Sequence, residues 1–491
     1  MIISKFKLNR EKKINFLRDD LVNFMNNFNS SNDYKKFLSL VSGGLGLKKK
    51  TLEHETKIIL FDNFLNVRGK FKNKFNIFFI PVHFFYILIF FFYVKFFQEK
   101  HTPASNSKYD ILIDNNDKGS NIKKFDILKK KKKLLLITSD ESLKKKDDIY
   151  FFRYKKTYLH KNLNLRIKDV VTIIIKTLHL SLKSSNNIFP ILIVFLKRYF
   201  KYHNIFFRFT SKYLLQERFY STSAIKDEIF HSYGGRLSCV LQKNLFQLNG
   251  PGMFVSADVI FTLGKDSLPN LINFDCKIRK NQPIGSLFME RDFYFHPSYK
   301  NDKEFKKYDL LVFSNTQTSV FNSGYDTYYD EYYKYVEWIK KIALKYPDLK
   351  IGIKHKNSCD NQKELEILKE IKNVEHVVNN IKYFSDSYIL ANKAIFLCTW
   401  SSTLGYESFG LKKDCFFLDP QDSNLAYLEK NQLNDSIKIK SFTDFEEKLL
   451  TKIKNPSMNL IKDSDMFCLE SKHVSERISD FFDKDTKKIN H

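Results

Sequence analysis

Cysteine, glycine and proline are scarce in this sequence. Its 491 residues include 15 glycines, 10 prolines and six cysteines. The cysteines are Cys239, Cys276, Cys359, Cys398, Cys415 and Cys468. They form no C-x-x-C pair and no spacing with paired histidines that would build a zinc site, so we expect reduced thiols in a core and no metal. The low glycine and proline content excludes fibrous and linker-dominated architectures.

Arginine is also rare, although the chain is strongly basic. Only 12 of the 82 basic residues are arginine, and with 55 acidic residues the net charge is +27. A positive net charge of this size attracts polyanions or an anionic membrane surface. The preference for lysine, together with 49 Phe and 26 Tyr, indicates that part of this charge is compositional. At 43% hydrophobic residues the chain is not disordered, and its length suits two domains.

The amino end lacks the features of a secretory signal. Residues 1–18 are lysine-rich and amphipathic, with no apolar run and no small-residue cleavage site. We therefore expect a cytoplasmic protein.

The segment Phe75–Phe97 contains a long apolar run, FNIFFIPVHFFYILIFFFYVKFF, with lysines on both flanks. Three structures are possible for this segment. It is just long enough to span a membrane, it suits a helix lying on an anionic bilayer face with its lysine stems at headgroup level, and it also suits the buried first helix of an α/β domain.

From residue 309 onward, short β-rich runs alternate with helical stretches. The predicted strands are 309–315, 350–355, 375–378, 394–399 and 415–419, and the predicted helices are 328–345, 362–371, 383–392 and 402–410. Runs such as LLVFSN and CFFLD are apolar on both faces, as strands covered by helices on each side must be. This half is predicted to be a doubly wound parallel sheet.

The N-terminal half shows the same alternation less clearly. Its predicted strands are 57–61, 109–114, 133–139, 149–153, 204–209, 237–242 and 258–263, with helices near 166–183, 189–202 and 223–233. Pro283 and Gly285 mark a hinge between the halves. The predicted fold is therefore α/β, with two facing Rossmann-like domains and parallel sheets. The predicted divisions are a basic helical extension (1–50), an N-terminal domain (51–285), a C-terminal domain (286–465), and a final helix and tail (466–491).

Ligands of open parallel sheets bind beyond the carboxyl ends of the strands. The run TWSSTLGYE (399–407) places hydroxyl groups and backbone N–H groups at a strand-to-helix turn, which suits a diphosphate. Gly405 permits a close approach of a helix or a ligand, and Glu407 is suited to accept hydrogen bonds from a ribose. Ordinary helix capping explains the same residues equally well. Lys354 and His355 follow a second strand, where a cation and an imidazole suit a phosphate or a proton transfer.

These runs resemble a known family. The sequence SSTLGYESFGLKKDCFFLD, the PIGS turn, the strand LLVFSN and Lys354–His355 resemble GT-B glycosyltransferases over about residues 210–480. Within that family, the likeness is to bacterial surface-carbohydrate biosynthesis enzymes and the glycerophosphate transferases of wall polymer synthesis. The resemblance implies the GT-B architecture and a metal-independent transferase that uses a nucleotide sugar as co-substrate, with no cofactor. The implied acceptor is a surface polysaccharide or a lipid-linked glycan.

The resemblance also implies roles for particular residues. The donor's diphosphate and nucleotide are assigned to Lys354, Ser401, Ser402, Thr403, Gly405 and Glu407, and His355 is the candidate catalytic residue. GGRLSCVLQKN resembles a family strand that ends in Gln-His-Gly, which makes Gln242 and Lys243 candidates for the acceptor side. Lys243 and Asn244 replace the family's His and Gly, and Lys356 replaces a Pro. The candidate bases are Glu217, Arg218 and Asp258.

Several alternatives remain open. A polyol-phosphate transferase, a sugar-nucleotide epimerase and a non-catalytic membrane-bound assembly factor all suit the same fold. The D-x-D runs at 463–465 and 483–485 follow the last sheet, so they are expected to be caps and tail rather than metal ligands. No recognised nucleic-acid-binding motif accompanies the charge, so nucleic acid is not an expected partner. With the resemblance, the expected location is the cytoplasm, in peripheral association with the inner membrane or anchored in it.

Overall fold

The computed structural model describes residues 23, 25–64, 76–96, 108–115, 122–138, 149–151, 167–184, 186–219, 222–243, 254–267, 276–295, 307–315, 326–355, 361–378, 386–400, 402–420 and 432–487. The helices in the first part of the chain are α1 (Asn32–Leu45), α2 (Lys49–Phe64), α3 (Ile80–Phe96), α4 (Asp126–Lys129), α5 (Ile167–Lys183), α6 (Phe189–Arg208), α7 (Ala224–Ser232) and α8 (Leu287–Phe295). Those that follow are α9 (Asp326–Lys345), α10 (Gln362–Ile367), α11 (Ser387–Lys393), α12 (Thr403–Glu407), α13 (Gln432–Ile437), α14 (Phe442–Lys454), α15 (Ser464–Phe467) and α16 (Val474–Lys487).

The strands form two sheets in which every described pairing is parallel. The first sheet contains β1 (Tyr109–Asn115), β2 (Leu134–Thr138), β3 (Ile149–Phe151), β4 (Ser211–Gln216), β5 (Leu237–Leu241), β6 (Ser256–Thr262) and β7 (Lys277–Pro283) in the order β3-β2-β1-β4-β5-β6-β7. The second contains β8 (Leu310–Phe313), β9 (Ile351–Lys354), β10 (Val374–Val377), β11 (Phe396–Thr399), β12 (Cys415–Leu418) and β13 (Lys438–Ile439) in the order β10-β9-β8-β11-β12-β13.

Helices cover both faces of the first sheet, because its central strands are apolar on both sides. Successive residues of β1 illustrate this. Leu112 packs into a cluster with α1, α2, α5 and α6, whereas Ile111 and Ile113 pack into a cluster on the opposite face that includes α16. Alternating side chains of a strand point to opposite faces, so two cores form around one sheet. The predicted class, α/β with two parallel Rossmann-like sheets, is confirmed.

Two predicted strands are wrong. Residues 57–61 lie inside α2, and residues 204–209 form the end of α6 with its C-cap residue Phe209. Both are short apolar runs, and over four to six residues a buried helix and a buried strand have the same composition. α2 buries Leu52, Ile59 and Leu60, so tertiary packing decides its conformation.

Two strands of the first sheet escape the prediction. β4 follows α6 directly, and its first two residues are polar. β7 reads KIRKNQP and is largely exposed. It is an edge strand, and charged residues on an edge discourage pairing with another chain. β7 therefore lacks the apolar pattern by which a buried strand is recognised, whereas β4 lies in the middle of the sheet.

The predicted hinge lies where two segments of the chain run side by side. Pro283 ends β7, and Gly285 has a φ of +96°, a left-handed conformation that favours glycine. The backbone N–H of Ser286 donates to Ser471 Oγ at 2.9 Å, and the Arg477 guanidinium donates to the carbonyl of Ile284 at 2.7 Å. The segment that leaves the first domain at the hinge (283–286) and the segment that comes back to it (471–477) are thus hydrogen-bonded to each other.

The chain ends on the first sheet rather than on the second. Phe482 of α16 stacks on Tyr213 of β4 with ring centroids 4.1 Å apart, and Arg236 pairs with Asp485 at 2.5 Å. The predicted final helix (466–491) therefore packs on the N-terminal domain as far as it is described. The predicted extension (1–50) contributes Phe37 and Val41 to the core of the same domain.

Helix α3 occupies most of the apolar segment Phe75–Phe97, whose two end residues lie outside the described part. Ile80 and Ile87 are buried against the domain, and Phe84 packs edge-on against Phe189 of α6. The opposite side of the helix is exposed. Among the described residues, no helix combines the length and apolar character that crossing a bilayer requires.

Candidate active site

The turn after β11 is shaped by capping and close packing. Ser402 is the N-cap of α12, and its Oγ accepts a hydrogen bond from the N–H of Leu404 at 3.3 Å. A Cβ on Gly405 would lie 2.5 Å from the ring of Phe417, so glycine allows α12 to approach β12. Thr403 is half-buried, and Ser401 lies outside the described residues. The close approach that Gly405 permits is therefore that of a helix to its own sheet.

Glu407, at the other end of α12, is hydrogen-bonded to the hinge and to a neighbouring helix. Its Oε1 accepts hydrogen bonds from Ser286 Oγ at 2.5 Å and from Tyr388 Oη at 3.1 Å. The pKa of the carboxyl group is raised to about 7, chiefly by burial and also by the nearby Asp292, while the two hydrogen bonds oppose the shift. A carboxyl group in this state changes its charge near neutral pH.

Lys354 and His355 lie at the carboxyl end of β9, on the same edge of the second sheet as the turn after β11. Both are buried. The Lys354 ammonium donates to the carbonyl of His355 at 2.5 Å, and His355 Nε2 lies 2.9 Å from His376 Nδ1. The imidazole predicted to be catalytic is thus held by a second histidine.

A cluster of cations occupies the carboxyl edge of the first sheet, opposite Glu407. Lys124 Nζ lies 4.5 Å from the centre of the Phe288 ring, Lys243 Nζ lies 5.4 Å from it, and Arg291 Cζ lies 5.7 Å from it. Contact of a cation with the face of an aromatic ring is favourable. We call Lys124, Lys243, Arg291 and Phe288 the cation cluster. Of these, the sequence predicted Lys243 alone.

The charges of the cation cluster act on one another and on Glu407. The pKa of Lys124 is lowered to about 8, chiefly by burial and also by Lys243 and Arg291, while the paired Glu217 acts in the opposite direction. The pKa of Lys243 is also lowered to about 8, by burial and by Arg218, while Glu407 acts in the opposite direction. Crowded cations with lowered pKa values indicate a place where an anion would be stabilised.

The remaining predicted residues have structural partners. Gln242 Oε1 accepts from the N–H of Leu263 at 2.9 Å and from Ser267 Oγ at 2.7 Å. Glu217 pairs with Lys124 in the interior. Asp258 sits near the amino end of β6, where it pairs with His231 at 3.0 Å, so it lies at the opposite edge of the sheet from the cation cluster.

Lys124, Phe288 and Arg291 are the site residues that sequence reasoning missed. Lys124 stands in a lysine-rich stretch and looks like one surface lysine among many, whereas it is buried. Phe288 and Arg291 begin the helix directly after the PIGS turn. The nearness of that helix to a recognisable hinge was the available signal.

Comparison with known proteins gives structural neighbours only. No family model and no curated protein matches the sequence. Among solved structures, the chain is similar to MnaA of S. aureus in a UDP co-structure, at 11% identity and a TM-score of 0.45, over 78% of this chain and 98% of that one. It is also similar to the wall teichoic acid polymerase TagF, at 11% identity and a TM-score of 0.37, over 94% and 99% of the two chains. A third neighbour is the UDP-GlcNAc 2-epimerase of Neisseria meningitidis bound to UDP-GlcNAc, at 12% identity and a TM-score of 0.44, over 75% and 98%. At these values, the likeness transfers no activity to this chain.

Proposed function

We propose that this protein is a glycosyltransferase that moves a sugar from a nucleotide-sugar donor to a surface polysaccharide or a lipid-linked glycan. The observation that carries the proposal is the cation cluster at the carboxyl edge of the first sheet, facing Glu407 of the second domain. Ligands of parallel sheets bind at this edge.

The chemistry of sugar transfer suits this arrangement. Negative charge develops on the leaving nucleoside diphosphate, and fixed cations around it stabilise that charge. In this proposal Lys243 and Arg291, the latter paired with Asp292, stabilise that charge. Ser402 and Thr403 supply hydroxyl groups, and Lys354 supplies a further cation. We propose that these roles need no cofactor, with the nucleotide sugar as co-substrate.

Binding of UDP and CDP by calorimetry tests this proposal. We expect Lys243→Met to weaken nucleotide binding about tenfold or more, because a hydrogen bond to a charged group contributes roughly 1.5–3 kcal/mol. The matched control is Lys280→Met, since Lys280 also lies over a phenylalanine ring, that of Phe481 at 4.8 Å, but on the edge strand β7. Equal affinities in the two variants, or no nucleotide binding by the wild type, would contradict the proposal.

Product analysis distinguishes the alternatives within the same fold. Labelled nucleotide sugar and labelled CDP-glycerol separate sugar transfer from glycerophosphate transfer, and a change of sugar configuration without transfer identifies an epimerase. Lys243 stands where the related family has a histidine. Nucleotide binding without turnover of any donor would favour the non-catalytic assembly factor.

We also propose that the acceptor is reached at an anionic membrane surface. The exposed side of α3, with the short 3-10 turn Ile77–Phe79 before it, carries a stripe of apolar residues at spacings of three and four: Phe78, Val82, Phe85, Ile89 and Phe92. Helix α5 packs beside α3 and adds exposed Val171, Ile175 and Leu182. Lysines border this surface, including exposed Lys168 and Lys176. Apolar side chains with flanking lysines suit the interface of an anionic bilayer, which supports the proposal of peripheral association with the cytoplasmic face of the membrane.

Vesicle co-sedimentation tests the membrane proposal. We expect the double change Phe85→Asp and Ile89→Asp to weaken binding to vesicles of phosphatidylserine and phosphatidylcholine by at least about tenfold, because burying each side chain contributes roughly 1.5–3 kcal/mol. Leu344→Asp is the matched control, since Leu344 is equally exposed, at 63%, but lies on α9 of the second domain. Binding that is unchanged by the double variant would contradict the proposal.

A further inference from the structure

A side-chain cluster in the second domain, which includes the predicted catalytic residue His355, has no role in the sugar transfer proposed above. His355 Nε2, His376 Nδ1 and a carboxylate oxygen of Glu364 come within 4.8 Å of one another. They belong to three different elements: His355 follows β9, His376 lies in β10, and Glu364 lies in the first turn of α10. We infer that these three residues form a binding site for a zinc-type divalent metal ion.

The distances suit such an ion. His355 Nε2 lies 2.9 Å from His376 Nδ1 and 3.8 Å from Glu364 Oε1. Zinc binds nitrogen and carboxylate oxygen at roughly 2.0–2.2 Å in tetrahedral geometry, so neighbouring ligand atoms lie about 3.3–3.5 Å apart. The observed separations lie on either side of that value. The three ligand atoms all lie within 4.8 Å of one another, so side-chain adjustments of roughly an ångström would bring them around one ion.

The donor set is typical of zinc. Two neutral imidazoles and one carboxylate, with a fourth position open, are a known arrangement for this ion. His355 and Glu364 are almost fully buried, whereas His376 is half-buried. The half-buried side of the cluster is where water or a substrate oxygen would reach the fourth position.

Other residues hold the Glu364 carboxylate in place. Ser314 Oγ donates to both of its oxygens at 2.9 Å, and the Tyr332 hydroxyl also donates to it. The backbone N–H of His355 donates to the carbonyl of Val377 at 2.8 Å, which fixes the loop to β10. Such partners orient metal ligands, and their loss typically weakens metal affinity about 10–100-fold.

Metal binding by the full-length protein tests this inference. The purified chain is treated with a chelator, dialysed, and titrated with ZnCl₂ against a chromophoric competitor, with thermal unfolding recorded in parallel. We expect one tight site in the wild type, together with an increase in the unfolding temperature on adding Zn²⁺. His376→Asn should weaken that site more than about 100-fold, and Ser314→Ala should weaken it about tenfold or more, as the loss of an orienting partner does.

The matched control is His473→Gln. His473 and Glu476 also pair at 2.9 Å, but they are exposed on the surface, so their loss should leave the tight site unchanged. Ser314→Ala removes one hydroxyl group only and keeps the test valid if His376→Asn folds poorly. Zinc affinity that is the same in wild type and in Ser314→Ala, or a wild type without a tight site, would overturn the inference and leave a hydrogen-bonded histidine pair.

Discussion

At the scale of single residues, Glu407 combines burial with two hydrogen bonds. Sequence reasoning assigned it to the donor's ribose. In the structure its carboxyl group receives hydrogen bonds from Ser286 at the hinge and from Tyr388 of the second domain. A buried carboxyl group with a raised pKa holds a proton in the folded state at pH values where the unfolded chain has lost it.

This difference predicts a pH dependence of stability. The pKa of Glu407 rises from 4.5 to about 7 on folding, so its favourable contribution is complete below about pH 4.5 and is lost as pH rises through 7. The full change is roughly 3 kcal/mol. We expect Glu407→Gln to gain stability relative to the wild type as pH rises from 5 to 8. Denaturant unfolding at a series of pH values measures this.

The Glu407→Gln variant keeps an oxygen that accepts from Ser286, so any difference reports the charge. Wild-type and variant stabilities that stay parallel across the pH range would contradict the assigned pKa.

At the scale of elements, strands covered on both faces were the most predictable. β9, β11 and β12 are four-residue apolar strands that lie inside the predicted ranges. Their pattern is local, because a strand buried on both sides needs apolar residues whatever its neighbours are. The edge strand β7 and the helix α2 were missed because exposure and partner choice are properties of the assembled sheet.

The α12 turn gives a prediction about packing at this scale. We expect Gly405→Ala to destabilise the protein by about 1–3 kcal/mol, because the added methyl group would lie 2.5 Å from the Phe417 ring. In contrast, Gly43→Ala in α1 should stabilise it by about 0.5–1 kcal/mol, since a Cβ there meets no atom within 4 Å. Denaturant unfolding of the two variants measures both effects, and a neutral Gly405→Ala would contradict the packing role.

At the scale of the whole molecule, the last helix of the chain completes the first domain. Val474, Ile478 and Phe482 of α16 are buried against the first sheet. Because these residues are about 260 positions away from Tyr213 in sequence, the first domain is complete only when the chain has returned.

The position of α16 predicts which domain a mutation affects. Phe482→Ala should destabilise the protein by roughly 3–5 kcal/mol and speed hydrogen exchange in β4 and β5 of the first sheet. Phe445→Ala, which removes a ring 6.0 Å from Phe396 of β11, should instead speed exchange in the second sheet. Faster hydrogen exchange in the second sheet of the Phe482→Ala variant would contradict the assignment of α16 to the first domain.

The sequence by itself determined the layers of this protein: apolar runs at strand and helix spacing fixed two parallel α/β units and marked the hinge at Pro283 and Gly285. These features follow from local patterns, since burial on both faces of a strand requires them. Only the tertiary structure decided which charges meet. Lys124, Lys243 and Arg291, like His355, Glu364 and His376, are separated in sequence and converge because parallel strands end at a common edge, and no local pattern encodes that convergence.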